Sequence, residues 1–248
     1  MPQGISQMKY LQFFPNVVLS DKHKDDVFKI TELAELEYLR GKLCISGLEN
    51  INDAMEASKA NLKDKKDLTE LTLSWNNDVV DADSSQKELD VLDALRPHTK
   101  LKFLKIDSYR GDGIDSHGPL FTCLEILHIL NMLMWKEWSF GTEAILQEGQ
   151  VFPLLKDVWL HNCPKLNVGL PGYLPSLESL SIGDCEEMEY LLPITQQTVT
   201  APPFLDDVSI SDCPVLESLL NWGSHNKVKA LSLSNTKVLF ENRIKWDL

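Results

Sequence analysis

The chain has 248 residues, 43% of them hydrophobic and 25% charged, and a formal net charge of -13. That balance suits an ordered protein with a buried core and excludes wholesale disorder, which goes with few apolar residues. The acidity excludes broad contact with nucleic acid or anionic membrane surfaces, both of which reward clustered Lys and Arg.

The polar start Met1-Pro2-Gln3-Gly4 lacks the basic and apolar stretches of a secretion signal. No apolar run approaches the roughly 18 residues that span a bilayer, so a cytoplasmic protein is expected. A strand-like segment from Leu11 to Leu19 falls in a lead-in or N-terminal cap over residues 1–35. The run from Asn52 to Asp67 is rich in helix formers, with Asn52 or Asp53 as N-cap and Met55 and Leu62 seven apart on one face. Its Lys63, Lys65 and Lys66 suit a helix C-terminus and are expected to be solvated. A short strand follows at Leu71 to Leu73. The acidic stretch from Asn76 to Ser85, with Asp78, Asp81 and Asp83, reads as a loop. A second helix opens on a Ser85/Glu88 capping box, presents Leu89, Leu92 and Leu95 as its apolar side, and stops at Pro97.

One phrase returns seven times: apolar, two residues, apolar, one residue, apolar, then two residues before an Asn, Cys or similar side chain. It is clearest as Leu68, Leu71, Leu73 and Asn76; as Leu155, Val158, Leu160 and Cys163; as Leu177, Leu180, Ile182 and Cys185; and as Leu205, Val208, Ile210 and Cys213. Weaker copies run through Leu101, Leu104, Ile106 and Tyr109, through Leu124, Leu127, Ile129 and Met132, and through Leu231 and Leu233. The copies begin at 68, 101, 124, 155, 177, 205 and 228, in steps of 33, 23, 31, 22, 28 and 23. The shorter steps match a leucine-rich repeat, and the longer ones carry insertions. Alternate residues of a strand share a face, so Leu71 and Leu73 both point inward. A single coil cannot bury them, and stacked coils can. The predicted fold is therefore an α/β solenoid: a leucine-rich repeat horseshoe with a parallel sheet on the concave face and irregular helices and loops on the convex face. One domain is expected over residues 1–248, with repeats over 36–236 and a closing cap over 237–248 that includes Phe240 and Trp246.

The position closing each phrase calls for a buried polar group that bonds turning backbone. Asn76 suits it through its amide; Cys163, Cys185 and Cys213 suit it as small side chains content with burial. The five cysteines, an odd number without CxxC, read as free thiols in a reduced compartment.

Residues interleaved with the buried strand positions face outward on the concave sheet: Thr72, Lys105, His128, Trp159, Ser181, Ser209 and Ser232. His161, beside Leu160, joins them at the face or its edge, where exposed polar groups serve binding. Trp159 has two readings that the sequence leaves open, a docking aromatic or a ring packed under a neighbouring loop. Trp135 and Trp138, in a loop-like insertion after Met132, read as anchors of that insertion. Tyr109 ends its strand and serves either packing or contact.

The search for chemistry finds no constellation. His23, His98, His117, His128, His161 and His225 are scattered, without HExxH or a Cys/His pairing at zinc spacing, and read as surface or turn residues. The acidic groups Asp81/Asp83 and Asp184/Glu186/Glu187/Glu189 lack the glycine and closing glutamate of a calcium loop. There is no GxSxG elbow. No catalytic residue, metal or cofactor is expected, and surface recognition of protein remains.

Several stretches resemble one family. Residues 32–76 read ELAELEYLRGKLCISGLENINDAMEASKANLKDKKDLTELTLSWN, with the Leu-x-Gly-x-Leu-x-Ile phrase at Leu39 to Ile45, Leu48-Glu49-Asn50, the helix through Glu56-Ala57 and Ala60-Asn61-Leu62, and Leu71-x-Leu73-x-Trp75. Later words keep the order: Leu95-Arg96-Pro97-His98, Trp135-Lys136-Glu137-Trp138, Phe152-Pro153-x-Leu155, Cys163-Pro164 and Cys213-Pro214. Together they resemble the leucine-rich repeat region of plant coiled-coil nucleotide-binding disease-resistance proteins, which are intracellular immune receptors. The resemblance implies a sensor and autoinhibitory region that binds a pathogen effector or host protein and, in a full receptor, restrains the nucleotide-binding module. Only about thirty residues precede the repeats, and no GxxxxGK[ST] phosphate loop occurs, Gly41-Lys42 being followed by Leu43. The chain is expected to lack its own nucleotide-binding module, and the stretch between Tyr109-Arg110-Gly111 and the tryptophan pair is contracted. The alternative is a leucine-rich repeat specificity subunit of another complex such as a ubiquitin ligase. An enzyme is not expected.

Overall fold

A computed structural model of the protein describes residues 5–20, 28–76, 84–116, 121–140, 152–170, 174–191, 202–216 and 228–237. They belong to two compact units, Met1–Gly111 and Asp112–Leu248. The closing cap expected around Phe240 and Trp246, the acid loop at Asp78, Asp81 and Asp83, and His23, His117 and His225 lie outside the described residues.

Among the described residues the first unit holds four parallel strands in chain order: β1 (Asn16–Val18), β2 (Arg40–Ser46), β3 (Asp67–Ser74) and β4 (Phe103–Asp107). β1 lies within the expected segment from Leu11 to Leu19. Apolar side chains meet in register along the inner face, Leu43 opposite Leu71 opposite Leu104, and Ile45 opposite Leu73 opposite Ile106. All six are buried, each resting against the same position of a neighbouring coil in this unit.

The helices of this unit depart from the sequence expectation. α1 covers only Ala54–Ser58, capped by Asp53, whose carboxylate accepts the Glu56 N–H at 2.8 Å. It stops because Asn61 turns left-handed at φ 52° and starts a one-turn 3₁₀ segment, Leu62–Asp64. Met55 consequently points to solvent at 72% exposure, and Ala57, Ala60 and Leu62 face the core instead. Lys65 is not solvated: it is 3% exposed, and its Nζ donates to the Leu36 carbonyl at 3.0 Å. Burial pulls its ammonium below the ordinary lysine range, with Glu37 and then Asp64 opposing.

α2 spans Ser84–Ala94, so Ser85 lies within the helix rather than ahead of it and Glu88 lies one turn in. Glu88 is buried with Val91 and Leu95, whereas Leu89 and Leu92 stay half-covered. Its carboxylate enters the interior because it accepts the Arg110 N–H at 3.0 Å. Burial raises the Glu88 carboxyl above its usual range, and Arg110 opposes this through that bond and its charge.

His98 is interior rather than surface. Nδ1 accepts the Lys100 N–H at 3.1 Å, which makes Nε2 the protonated nitrogen donating to the Leu68 carbonyl at 3.0 Å. Burial, the largest influence, pushes this imidazole below its ordinary value of 6.5. The folded state therefore binds this proton less readily than the unfolded chain. The sign is that stability is intact above the unfolded value and falls as pH drops through it toward the folded one. The melting temperature is expected to fall between about pH 7 and about pH 5, and the fall is expected to be smaller in His98→Gln. An equal fall in both proteins would remove His98 as a source.

The second unit repeats the plan with β6 (Ile126–Leu130), β8 (Asp157–His161), β9 (Ser179–Gly183), β10 (Asp207–Cys213) and β11 (Ala230–Thr236), parallel and adjacent in that order. Two apolar rows cross it: Leu127, Val158, Leu180, Val208 and Leu231; then Ile129, Leu160, Ile182, Ile210 and Leu233. Between the phrases, β5 (Gly113–Ser116) and β7 (Glu137–Phe140) form a separate two-stranded parallel sheet. Trp138 thus belongs to a strand rather than a loop. Both tryptophans anchor this insertion: Trp135 is fully buried and donates from Nε1 to the Glu137 carbonyl at 2.7 Å, and Trp138 donates to the Gly169 carbonyl at 2.6 Å.

Most strands end on a left-handed corner. Gly47, Ser108, Asn131, Asn162, Asp184, Asp212 and Asn235 all have positive φ, a conformation that Gly, Asn and Asp tolerate best. Two corners are tied to their neighbours, Asn162 donating to Asn131 at 2.8 Å and Asn235 to Asp212 at 2.9 Å. Directly after three of them come Cys163, Cys185 and Cys213, buried thiols that donate to the strand-end carbonyls of His161, Gly183 and Ser211. The thiol contact with Cys163 and burial push Cys185 far up, and the contact with Cys185 and burial do the same to Cys213. All five cysteines are free. Asn76 does not fill the equivalent buried place: it is exposed, and its N–H donates to Glu49 at 2.9 Å. Trp75 is buried there instead, with its ring 5.4 Å from that of Tyr109, also buried. Among the described residues, no helix is long and apolar enough to cross a membrane.

Candidate functional site

Strand alternation that buries Val158 and Leu160 forces Asp157, Trp159 and His161 to the other face of β8. Register then carries the outward row across the second unit: His128, Trp159, Ser181, Ser209 and Ser232 are consecutive partners on β6, β8, β9, β10 and β11. Five residues expected on the face, Ser232 included, are thus brought into one row. Thr72 and Lys105 are register partners of each other in the first unit. Lys105 Nζ is 2.9 Å from Asp107.

Trp159 is 42% exposed, so its indole stands open on this face. One side is lined by His128, whose ring lies 4.8 Å away and 21° from parallel. His161, two residues along the same strand, is tilted against it at 5.9 Å. The His161 Nε2 and the Ser181 hydroxyl are 2.9 Å apart, which fixes the imidazole over β9. Gly183 makes that position possible, since a Cβ there would come within 2.6 Å of His161 Nδ1. Burial lowers the affinity of His161 for a proton, Asp184 raises it, and His128 lowers it further.

Two features of the site were not anticipated. Asp157 stands 3.5 Å from His128 Nε2, and its buried Oδ1 has no hydrogen-bond partner among the described residues. Gly183 is the other, and the signal was present: a glycine at an outward strand position marks the close approach of another group. Beyond the aromatic group the face is low, floored by Ser181 and Ser209 in the middle row and Gly183 and Ser211 in the next. Such a surface offers rings, hydroxyls and carboxylates for contact.

Residues 30–163, a little over half of the chain, match the family described as R13L1/DRL21 LRRs. The putative disease resistance RPP13-like protein 1 of Arabidopsis thaliana is 27% identical over 66% of this chain and 22% of its own length. The putative disease resistance protein At3g14460 of the same plant is 30% identical over 62% of this chain and 15% of its own length. The disease resistance protein RGA2 of Solanum bulbocastanum is 40% identical over 34% of this chain and 8% of its own length. The chain therefore spans less than a quarter of the length of these curated relatives. No solved structure matches. The repeated strands, the register of their leucines and the extent of this match agree: the chain belongs to the R13L1/DRL21 leucine-rich repeat family.

Proposed function

We propose that the chain is a protein-recognition scaffold with the role of a sensor and autoinhibitory region of a plant intracellular disease-resistance receptor, acting in the defense response in the cytoplasm. The observation that carries this reading is the open Trp159 indole beside β9 and β10, whose outward positions hold only small or polar side chains. Tryptophan dominates protein contacts because it buries a large area with little lost freedom. The names of the relatives support the defense setting. The 248 residues contain no GxxxxGK[ST] phosphate loop and no catalytic constellation, which favours recognition over nucleotide hydrolysis or other chemistry.

The partner in this reading is a pathogen effector or a host protein, with Trp159, His161, His128, Ser181 and Ser209 forming the contact on the second unit and Thr72 and Lys105 as separate contact positions on the first. In a full-length receptor the repeats also hold the nucleotide-binding module in its resting state. The partner releases that state only by binding the released form more tightly than the resting one. Exchange of Trp159 and His161 for serine is expected to abolish partner capture in a pull-down while the circular-dichroism melt stays unchanged, since both side chains lie on the outer face. Retained capture removes this face as the recognition surface.

A further inference from the structure

The face around Trp159 has a definite electrostatic character. Asp157 and Asp207 stand on its outward row at the start of β8 and β10, in register with Ser179 between them. Asp184 and Asp212 occupy the exposed left-handed corners at the opposite end of the strands. Asp184 lies close enough to His161 for its charge to act on that ring. The nearby lysines are engaged elsewhere, Lys156 with Glu178 at 3.9 Å and Lys229 with Asp206 at 2.6 Å. Among the described residues no lysine or arginine is paired with these four aspartates. The face thus offers an indole with one side lined by His128, a shallow serine floor, and carboxylates without a lysine or arginine partner along both margins.

We infer that this face receives an extended, arginine-bearing segment of the partner protein, with a guanidinium laid flat on the open side of the Trp159 indole and basic neighbours reaching Asp157 and Asp207 on one margin and Asp184 on the other. The inference rests on the protein-recognition reading above and narrows it to a partner chemistry. A planar guanidinium stacks on an indole and still presents its N–H groups sideways to carboxylates, which a lysine ammonium does not do. The net charge of -13 adds a long-range attraction for such a segment. Five adjacent strands about 4.8 Å apart give a crossing of roughly 19 Å, the length of about six extended residues.

The test uses the full chain and three fluorescein-labelled octapeptides, alternating glycine with arginine, lysine or glutamate, read by fluorescence anisotropy. The arginine peptide is expected to bind, to weaken between about 50 and about 300 mM salt, and to exceed the lysine peptide by about tenfold. Trp159→Ser is expected to remove that advantage, and Asp157→Asn with Asp184→Asn is expected to weaken both basic peptides. Unaltered arginine binding in Trp159→Ser, equal binding of the arginine and lysine peptides, or equal binding of the glutamate peptide overturns the inference. No arginine-peptide binding, together with partner capture that is lost on exchange of Trp159 and His161, overturns the arginine segment and leaves the recognition reading intact. Capture that survives the exchange removes that reading instead.

Discussion

Leu160→Ala is expected to lower the free energy of unfolding by about 3 kcal/mol, seen as a lower urea midpoint at an unchanged slope. Leu160 has no exposed surface and sits in register between Ile129 of β6 and Ile182 of β9. Its truncation removes apolar contact with the coil on each side and leaves a cavity, because neighbouring strands held by their own hydrogen bonds collapse little into the gap. In a repeat stack, stability is close to a sum of coils and of interfaces between adjacent coils, so one central leucine weakens two interfaces at once. Leu233, in register with Ile210 on β11 but half-exposed, is expected to cost about 1 kcal/mol on the same substitution. Ser209→Ala, on the outer face of β10, is expected to change stability by less than about 0.5 kcal/mol. A Leu160→Ala loss no larger than that of Ser209→Ala would mean that the leucine rows do not hold the unit together.

That contrast between inner and outer rows was legible in the sequence because strand alternation is local: Leu71 and Leu73, or Val158 and Leu160, declare their common face within three residues. The corners carried a local signal too, in the pairs Asn162-Cys163, Asp184-Cys185 and Asp212-Cys213, where a residue tolerant of positive φ precedes a buried thiol. Lys65, Glu88 and His98 were not legible. Each is buried because its polar group meets backbone one coil away, at sequence separations of 29, 22 and 30 residues respectively. By type and local pattern a lysine in a charged run or a histidine after a proline reads as solvated; only the stacking of coils supplies the partner that makes burial tolerable. The outer site divides the same way. Alternation put Trp159 and His161 on one face, but the stacking of His128 on Trp159 depends on the register of β6 against β8. The fit of His161 over Gly183 depends on β8 against β9, across an intervening loop that the repeat phrase does not describe.

Gly47→Ala is expected to destabilise the first unit by about 3 kcal/mol, about twice the effect of the same change at Gly41. Both glycines have left-handed backbone, at φ 81° and 75°. An L-residue in that region costs roughly 1–2 kcal/mol, and at Gly41 that is the whole cost, since the nearest atom to an added Cβ is Phe13 Cε1 at 4.0 Å. At Gly47 the added carbon would stand 2.1 Å from the Leu19 carbonyl oxygen, a backbone atom that cannot swing aside. That carbonyl also accepts a bond from Asn50 Nδ2 at 3.4 Å, and the Leu19 N–H donates to Ser46 at 2.8 Å. Relief of the clash therefore pulls β1 from β2 and uncovers Val17 and Ile45, which meet in register and are fully buried. Hydrogen exchange should show the amides of Leu19 and Cys44, the latter bonded to the Pro15 carbonyl, losing protection in Gly47→Ala and keeping it in Gly41→Ala. Equal losses of stability at the two glycines would leave backbone conformation as the sole cost and would remove the close approach of Leu19 as the reason for a glycine at this corner.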